Sequence, residues 1–159
     1  MPKKLIIQIP AYNEEKHLPE TLADLPDEIP GIDKIEILII NDGSTDATIE
    51  TALAHGVDYV ISNNTNRGLA HTFMNGINTS LSLGADIIVN TDADHQYHGE
   101  YILELVKPIL EHRADIVIGN RQPLKNAHFS PIKRLLEAFG SHIVATLAGV
   151  QVPDAASGF

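Results

Sequence analysis

Cysteine is absent from this chain. That excludes a disulfide framework and any thiolate nucleophile, and it leaves the reducing cytosol as the default compartment. Basic residues are scarce: 11 Lys and Arg stand against 21 Asp and Glu, a formal net charge of -10. A surface that grips a nucleic-acid backbone needs clustered Lys and Arg, so nucleic acid is excluded as a general partner. A single nucleotide is not excluded, because a local metal ion and one or two cations suffice to hold it. Long apolar runs are also missing, and no segment approaches the unbroken length of a spanning helix. The basic start Met1-Pro2-Lys3-Lys4 leads into an apolar run that breaks at Pro10, too short for the core of a secretory signal. Internal repeats, low-complexity tracts and linkers are absent as well.

What remains is an ordinary globular composition. The chain has 159 residues, 43% of them hydrophobic and 20% charged, which is too apolar and too weakly charged for a disordered acidic polymer. Its length predicts one domain over residues 1–159. The chain stops at Ser157-Gly158-Phe159, directly after a loop-like Val-Pro-Asp stretch, and this predicts truncation at the C-terminus of something longer.

Strand and helix patterns alternate throughout. Residues 4–9 read as a first strand ended by Pro10, and Asn13 is a candidate cap for the helix that follows, with Leu18, Leu22 and Leu25 at helical spacing. Pro19 marks where that helix begins. Residues 35–40 form the second strand, and Asp46 is a candidate cap for a helix over 48–55, closed by Gly56. A third strand covers 59–62, a helix 69–83 closed by Gly84, and a fourth strand 87–91. A helix over 101–112, a fifth strand over 116–120 and a last helix from Pro131 to about Gly149 complete the pattern. Such alternation implies a parallel sheet covered on both faces by helices.

The most informative segment is Ile87-Ile88-Val89-Asn90-Thr91-Asp92-Ala93-Asp94-His95-Gln96. A short apolar run of strand character meets two carboxylates one residue apart. Ionised carboxylates do not belong in such a core unless they are paired or bind a cation. Asp92 and Asp94 therefore fall just past the strand's end as candidate ligands for a hard, oxygen-loving ion, Mn2+ or Mg2+. His95 and His98 invite a zinc site with these aspartates, but the surrounding oxygen donors fit a hard cation better.

Ligands of open α/β sheets bind beyond the carboxyl ends of the strands, and the unusual polar residues collect there. Tyr12, Asn13 and Glu14 follow the first strand, Asp42 and Ser44 the second, and Asn66-Arg67-Gly68 the third. Asp92 and Asp94 follow the fourth, and Asn120-Arg121 the fifth. Each has a plain alternative. The run Asn41 to Asp46 can be a turn and helix cap, Tyr12 a half-buried aromatic, and Asn66-Arg67-Gly68 an ordinary loop. The Asp-x-Asp pair also resembles the opening of haloacid-dehalogenase-type phosphatases. Those aspartates usually follow a first strand and precede a small hydroxyl residue, whereas here His95-Gln96 comes next.

Taken in order, six motifs resemble the family 2 glycosyltransferases of the GT-A fold, particularly polyprenyl-phosphate sugar transferases similar to dolichyl-phosphate mannose synthase. They are Pro10-Ala11-Tyr12-Asn13-Glu14-Glu15, then Asn41-Asp42-Gly43-Ser44-Thr45-Asp46, then Asn66-Arg67-Gly68-Leu69-Ala70 with Asn75 and Gly76. Asp92-Ala93-Asp94-His95-Gln96, Gly119-Asn120-Arg121, and Asp154 with Ser157-Gly158-Phe159 complete the set.

The resemblance implies a Rossmann-like α/β/α sandwich with a mainly parallel central sheet. It also implies a metal-dependent inverting transfer of sugar from a UDP- or GDP-sugar donor to an acceptor, with a polyprenyl phosphate as one candidate. Pro10, Tyr12 and Glu14 would line the nucleoside pocket, Asp42 would bond the base edge, and Arg67 would lie beside base or phosphates. Asp92 would help hold ribose and metal, while Asp94 and Gln96 would coordinate the ion. Arg121, and with it Arg134, would face phosphate, and Asp154 would serve near the acceptor. The stripe Ile132, Leu135, Leu136, Phe139, Ile143, Val144 and Leu147 follows one helical face, packed on the core or set against the inner face of a membrane. The alternative reading is a sugar-nucleotide-binding module without turnover. The family usually continues past Ser-Gly-Phe with an arginine and further acceptor-site structure, which this chain does not contain.

Overall fold

In this computed structural model, residues 2–120 are described, together with Ile143, Thr146 and Gly149. The chain divides into two units, Met1–Asp115 and Ile116–Phe159, and the architecture below is that of the first.

Four strands form one parallel sheet: β1 (Lys4–Ala11), β2 (Lys34–Asn41), β3 (Tyr59–Ser62) and β4 (Ile87–Asn90), in the order β3-β2-β1-β4. The connections run through α1 (Leu18–Ala23), α2 (Thr48–Ala54) and α3 (Leu69–Ser82), and β4 leads through a 3-10 turn, Gly99–Tyr101, to α4 (Ile102–Leu110). Right-handed crossovers require α1 and α2 to share one face while α3, which carries the chain back past β1, takes the other. The packing agrees: α1 touches α2, and α3 lies over β1 and β2.

The two central strands are buried on both faces, which is why they read as continuous runs rather than as alternation. Ile6, Leu38 and Ile40 form a cluster with Tyr59, Ile61, Leu83 and Ala85 on the α3 face. Leu5, Ile7 and Ile9, also fully buried, point to the opposite face by the two-residue period of a strand. Helix α3 approaches closely because residue 76 is glycine. A Cβ there would meet the Gln8 side chain and Ile40 Cδ1.

Four expectations need correction. Pro10 does not end β1, which continues to Ala11 with Pro10 opposite Ile40. The Gln8 carbonyl accepts from Thr91 on the β4 side, and the Ala11 carbonyl from Asp42 on the β2 side. By alternation Pro10 turns its missing N–H toward the β4 side, where pairing has already stopped at Gln8.

Asn13 does not cap α1; His17 occupies the cap position before Leu18 and makes no side-chain cap bond. Asn13 instead lies at φ 57° and accepts from the Thr45 N–H at 2.8 Å. The first helix is also shorter than its leucine spacing suggested, and ends before Leu25. Finally, residues 116–120 carry no strand. A β-branched run makes a strand only where a neighbour supplies the ladder.

The other boundaries fall within a residue or two of expectation. Pro19 sits in the first turn of α1, and Asp46 accepts the Thr48 N–H at the start of α2 at 3.1 Å. The helix expected from Pro131 lies outside the described residues except Ile143 and Thr146, which are helical.

The close approach at Gly76 generates a prediction. Gly76→Val should destabilise the chain by about 2 kcal/mol, because added methyls overpack a filled contact. Urea unfolding midpoints of variant and parent measure it, and equal midpoints would refute the contact.

Candidate functional site

Strand order reverses at β1, with β2 on one side of it and β4 on the other, so the carboxyl ends of β1 and β4 stand together at the edge where open α/β sheets bind ligands. The register sets Gln8 beside Asn90. The loop carrying Tyr12, Asn13 and Glu14 therefore begins next to the loop carrying Asp92 and Asp94.

Hydrogen bonds lock the first three loops to one another. Asn13 N–H donates to Ser44 Oγ at 2.9 Å, and Glu14 N–H to Thr48 Oγ1 at 2.9 Å. Glu15 N–H donates to Asp46 Oδ2 at 3.2 Å, and the Glu15 carboxylate in turn accepts from Ala47 N–H at 3.0 Å. The third loop is held by Asp42, which is only 4% exposed. Its Oδ1 accepts from Arg67 N–H and Asn63 Nδ2, each at 2.8 Å, and its Oδ2 from Gly68 N–H at 2.9 Å. Gly43 sits so close to this loop that a Cβ would strike the backbone of Thr65 and Asn66.

Burial opposes ionisation of Asp42, but the Arg67 N–H, Asn63, Thr72 and Gly68 N–H donors outweigh it and hold the carboxyl below its ordinary value. Asp46 is depressed likewise: burial raises it, and the Thr48 hydroxyl and Glu15 N–H lower it further.

Around this frame the expected residues are distributed as follows. Pro10 is buried in β1, Tyr12 is 45% exposed, and Glu14 is half-buried with its carboxylate 3.0 Å from His17 Nδ1. Arg67 is exposed, its backbone fixed by Asp42. Asp92 and Asp94 are half-buried beyond β4, on either side of buried Ala93. Gln96 donates to Asp94 from both its backbone, at 3.2 Å, and its side chain, at 2.5 Å. Arg121, Arg134 and Asp154 lie outside the described residues.

The loop after β4 is anchored differently, to α1. Thr21 Oγ1 donates to the Ala93 carbonyl at 3.0 Å, and Gly99 N–H to Asp24 Oδ2 at 2.7 Å. Sequence reading missed Asp24 and Asn63. Asn63 was findable, since it directly follows β3, whereas Asp24 meets residues 71 and 75 positions away with no local pattern.

The fold places the chain in the GT-A class of nucleotide-diphospho-sugar transferase architectures. It resembles glucosyl-3-phosphoglycerate synthase from Mycobacterium tuberculosis, solved with Mn2+, uridine diphosphate and glucosyl-3-phosphoglycerate. The TM-score is 0.65 and the identity 21%, over 98% of this chain and 55% of that one. Within that class the chain belongs to glycosyl transferase family 2, which matches residues 6–143.

It is 35% identical over 157 residues to an uncharacterized protein of Methanocaldococcus jannaschii, covering 98% of this chain and 63% of the relative. It is 28% identical over 162 residues to undecaprenyl-phosphate mannosyltransferase of Micrococcus luteus, covering 98% and 65%. It is also 29% identical to UDP-N-acetylglucosamine–dolichyl-phosphate N-acetylglucosaminyltransferase of Methanococcus voltae, covering 98% and 68%. The chain thus spans about two thirds of the length of these relatives.

The Asp42 clasp is testable by linkage. A carboxyl whose folded pKa lies below its unfolded value stabilises fully above the unfolded value, about 3.9 for Asp, and loses that contribution as pH falls through the folded one. Asp42→Asn should cost roughly 2 kcal/mol at pH 7, because an amide nitrogen then faces N–H donors. The gap between variant and parent should close below about pH 4. Denaturant melts across this range decide it; a gap independent of pH would refute the role.

Proposed function

We propose that this chain carries the donor site of a metal-dependent, inverting glycosyltransferase. The donor is a UDP- or GDP-sugar, and the acceptor a polyprenyl phosphate. The observation that carries this reading is the pair Asp92 and Asp94 at the carboxyl end of β4, beside the Tyr12 loop at the switch point of the sheet. The printed activities of the polyprenyl-phosphate relatives support the acceptor class.

The donor set fits a hard divalent ion. Asp92, Asp94 and the Gln96 amide offer oxygen ligands, and Asp94 and Gln96 already converge. Mn2+ or Mg2+ bound there would act as a Lewis acid toward the departing diphosphate. The chain's own groups do the rest. Tyr12 stacks against the base, Pro10 and Glu14 line the nucleoside pocket, Asp42 bonds the base edge, and Asp92 helps to hold the ribose. Arg67 meets base or phosphate, on a backbone that Asp42 fixes before any ligand arrives.

The acceptor oxygen forms its bond to the anomeric carbon as the bond to the diphosphate oxygen breaks on the opposite face. Configuration is therefore inverted. An ionised lipid phosphate needs no general base, whereas a hydroxyl acceptor does. The resemblance to the family assigns Arg121, with Arg134, to phosphate and Asp154 to the acceptor, and all three lie outside the described residues.

Among the described residues no helix is long and apolar enough to cross a membrane. A lipid-phosphate acceptor calls for contact with the membrane that holds it, on this reading at its cytoplasmic face.

Calorimetry with UDP and with GDP, each with Mn2+ and with a chelator, tests the donor site. One nucleotide should bind only with metal, and Asp94→Ala should weaken that binding at least tenfold, about 1.4 kcal/mol. Binding that ignores the chelator, full affinity in the variant, or no binding of either nucleotide would overturn the reading. Metal-dependent binding without sugar transfer to a polyprenyl phosphate would identify a binding module instead.

A further inference from the structure

The loop after β4 carries a second group of ligands on its other side. Asp24, just past the end of α1, faces His95 and His98, and one ligand atom from each lies within 4.8 Å of the others. Asp24 Oδ2 is 3.3 Å from His95 Nε2 and 3.7 Å from His98 Nδ1. Ligands bound tetrahedrally to zinc at about 2.0–2.1 Å stand roughly 3.4 Å apart. The Asp24–His95 edge of such a site is therefore formed, and the two edges to His98, 3.7 Å from Asp24 and within 4.8 Å of His95, close with a turn of the exposed His98 ring.

We propose that Asp24, His95 and His98 form a binding site for a borderline divalent metal, Zn2+ above all, distinct from the oxygen-donor site at Asp92, Asp94 and Gln96. Two imidazole nitrogens and one carboxylate suit Zn2+, whereas an all-oxygen set suits Mg2+ and Mn2+. The adjacent residues Asp94 and His95 thus belong to different sites with different preferences.

Three features of the backbone and surroundings prepare this geometry. His95 adopts a left-handed φ of 59°, a conformation that costs free energy for a non-glycine residue and persists only where its surroundings impose it. Residue 99 is glycine, and a Cβ there would collide with the backbone carbonyl of Asp24. That close approach seats His98 against the carboxylate, whose Oδ2 the Gly99 N–H orients at 2.7 Å. Finally, Glu20 Oε2 lies 3.8 Å from Nδ1, the other ring nitrogen of His95. That distance is beyond a hydrogen bond, but the exposed Glu20 side chain needs only a small shift to become the outer carboxylate partner that ligating imidazoles commonly have.

Three protein ligands leave one position for water. The site joins the end of α1 to the loop that carries Asp94, so its metal acts as a tether between them. It stands independently of the glycosyl-transfer reading, since the ligands and the metal class differ.

Titration of the full chain with Zn2+ and with Co2+, in excess Mg2+, provides the test. One Zn2+ per chain should bind, raise the thermal midpoint, and be replaceable by Co2+ with visible d–d absorption. His98→Ala, an exposed position, should weaken Zn2+ at least tenfold and remove the thermal shift. Asp24→Asn should do the same. Asp94→Asn should leave Zn2+ affinity intact while losing Mn2+-dependent nucleotide binding. Equal Zn2+ affinity in parent and His98→Ala, or loss of Zn2+ in Asp94→Asn, would overturn the proposal. The nucleotide-binding result with Mn2+ stands or falls separately.

Discussion

The buried charge of Asp42 governs how the ligand-facing edge of this sheet is built. An ionised carboxylate taken out of water is costly unless hydrogen bonds replace its hydration. At 4% exposure, Asp42 takes that replacement from Asn63, Arg67 and Gly68, which belong to the next strand's loop. The third loop is thereby fixed to the end of the second strand. Asn13, Glu15 and Asp46 fix the first loop to the second in the same manner. Three segments far apart in sequence become one frame, on which Tyr12 and Arg67 stand with exposed side chains, the Arg67 N–H held by Asp42.

Strand β2 buries a second carboxylate near its other end, and solves the problem differently. Glu36 pairs with Lys4 and Lys34 and accepts from the Tyr59 hydroxyl. Burial raises its pKa, and the two lysines overcome that and hold it low. Lysine ammonium groups on flexible stems satisfy a charge without dictating backbone geometry, whereas backbone N–H groups satisfy it only when the loop adopts one path. The lysine solution lies at the amino ends of the strands. The backbone solution lies where geometry matters for a ligand.

Much of this was legible in the sequence, because parallel strands buried on both faces announce themselves as apolar runs ended by Asn, Asp and Gly. Strand β3 matches its expected bounds, and the carboxylates fall beyond β4 as expected. What failed was non-local. Pro10 looked like a terminator, yet it is harmless where only one neighbour still pairs. Asn13 looked like a helix cap, yet its side chain serves the loop of another strand. Residues 116–120 have strand composition without a strand, since pairing is decided by neighbours rather than by the run itself. Asp24 carries no signal at all until α1 folds back beside the loop after β4.

That last contact divides the labour among the loops. The loop after β4 is held by α1, through Thr21 to the Ala93 carbonyl and Asp24 to Gly99. Ala93 lies between the two aspartates, so the buried Thr21 bond sets where both carboxylates emerge. A helix of six residues is too short to be stable alone, and α1 draws its order from packing and from these bonds. The position of the Asp92–Asp94 pair and the order of α1 are therefore mutually dependent. Any ligand that binds the Asp24 side of the loop acts on the same joint from the opposite face.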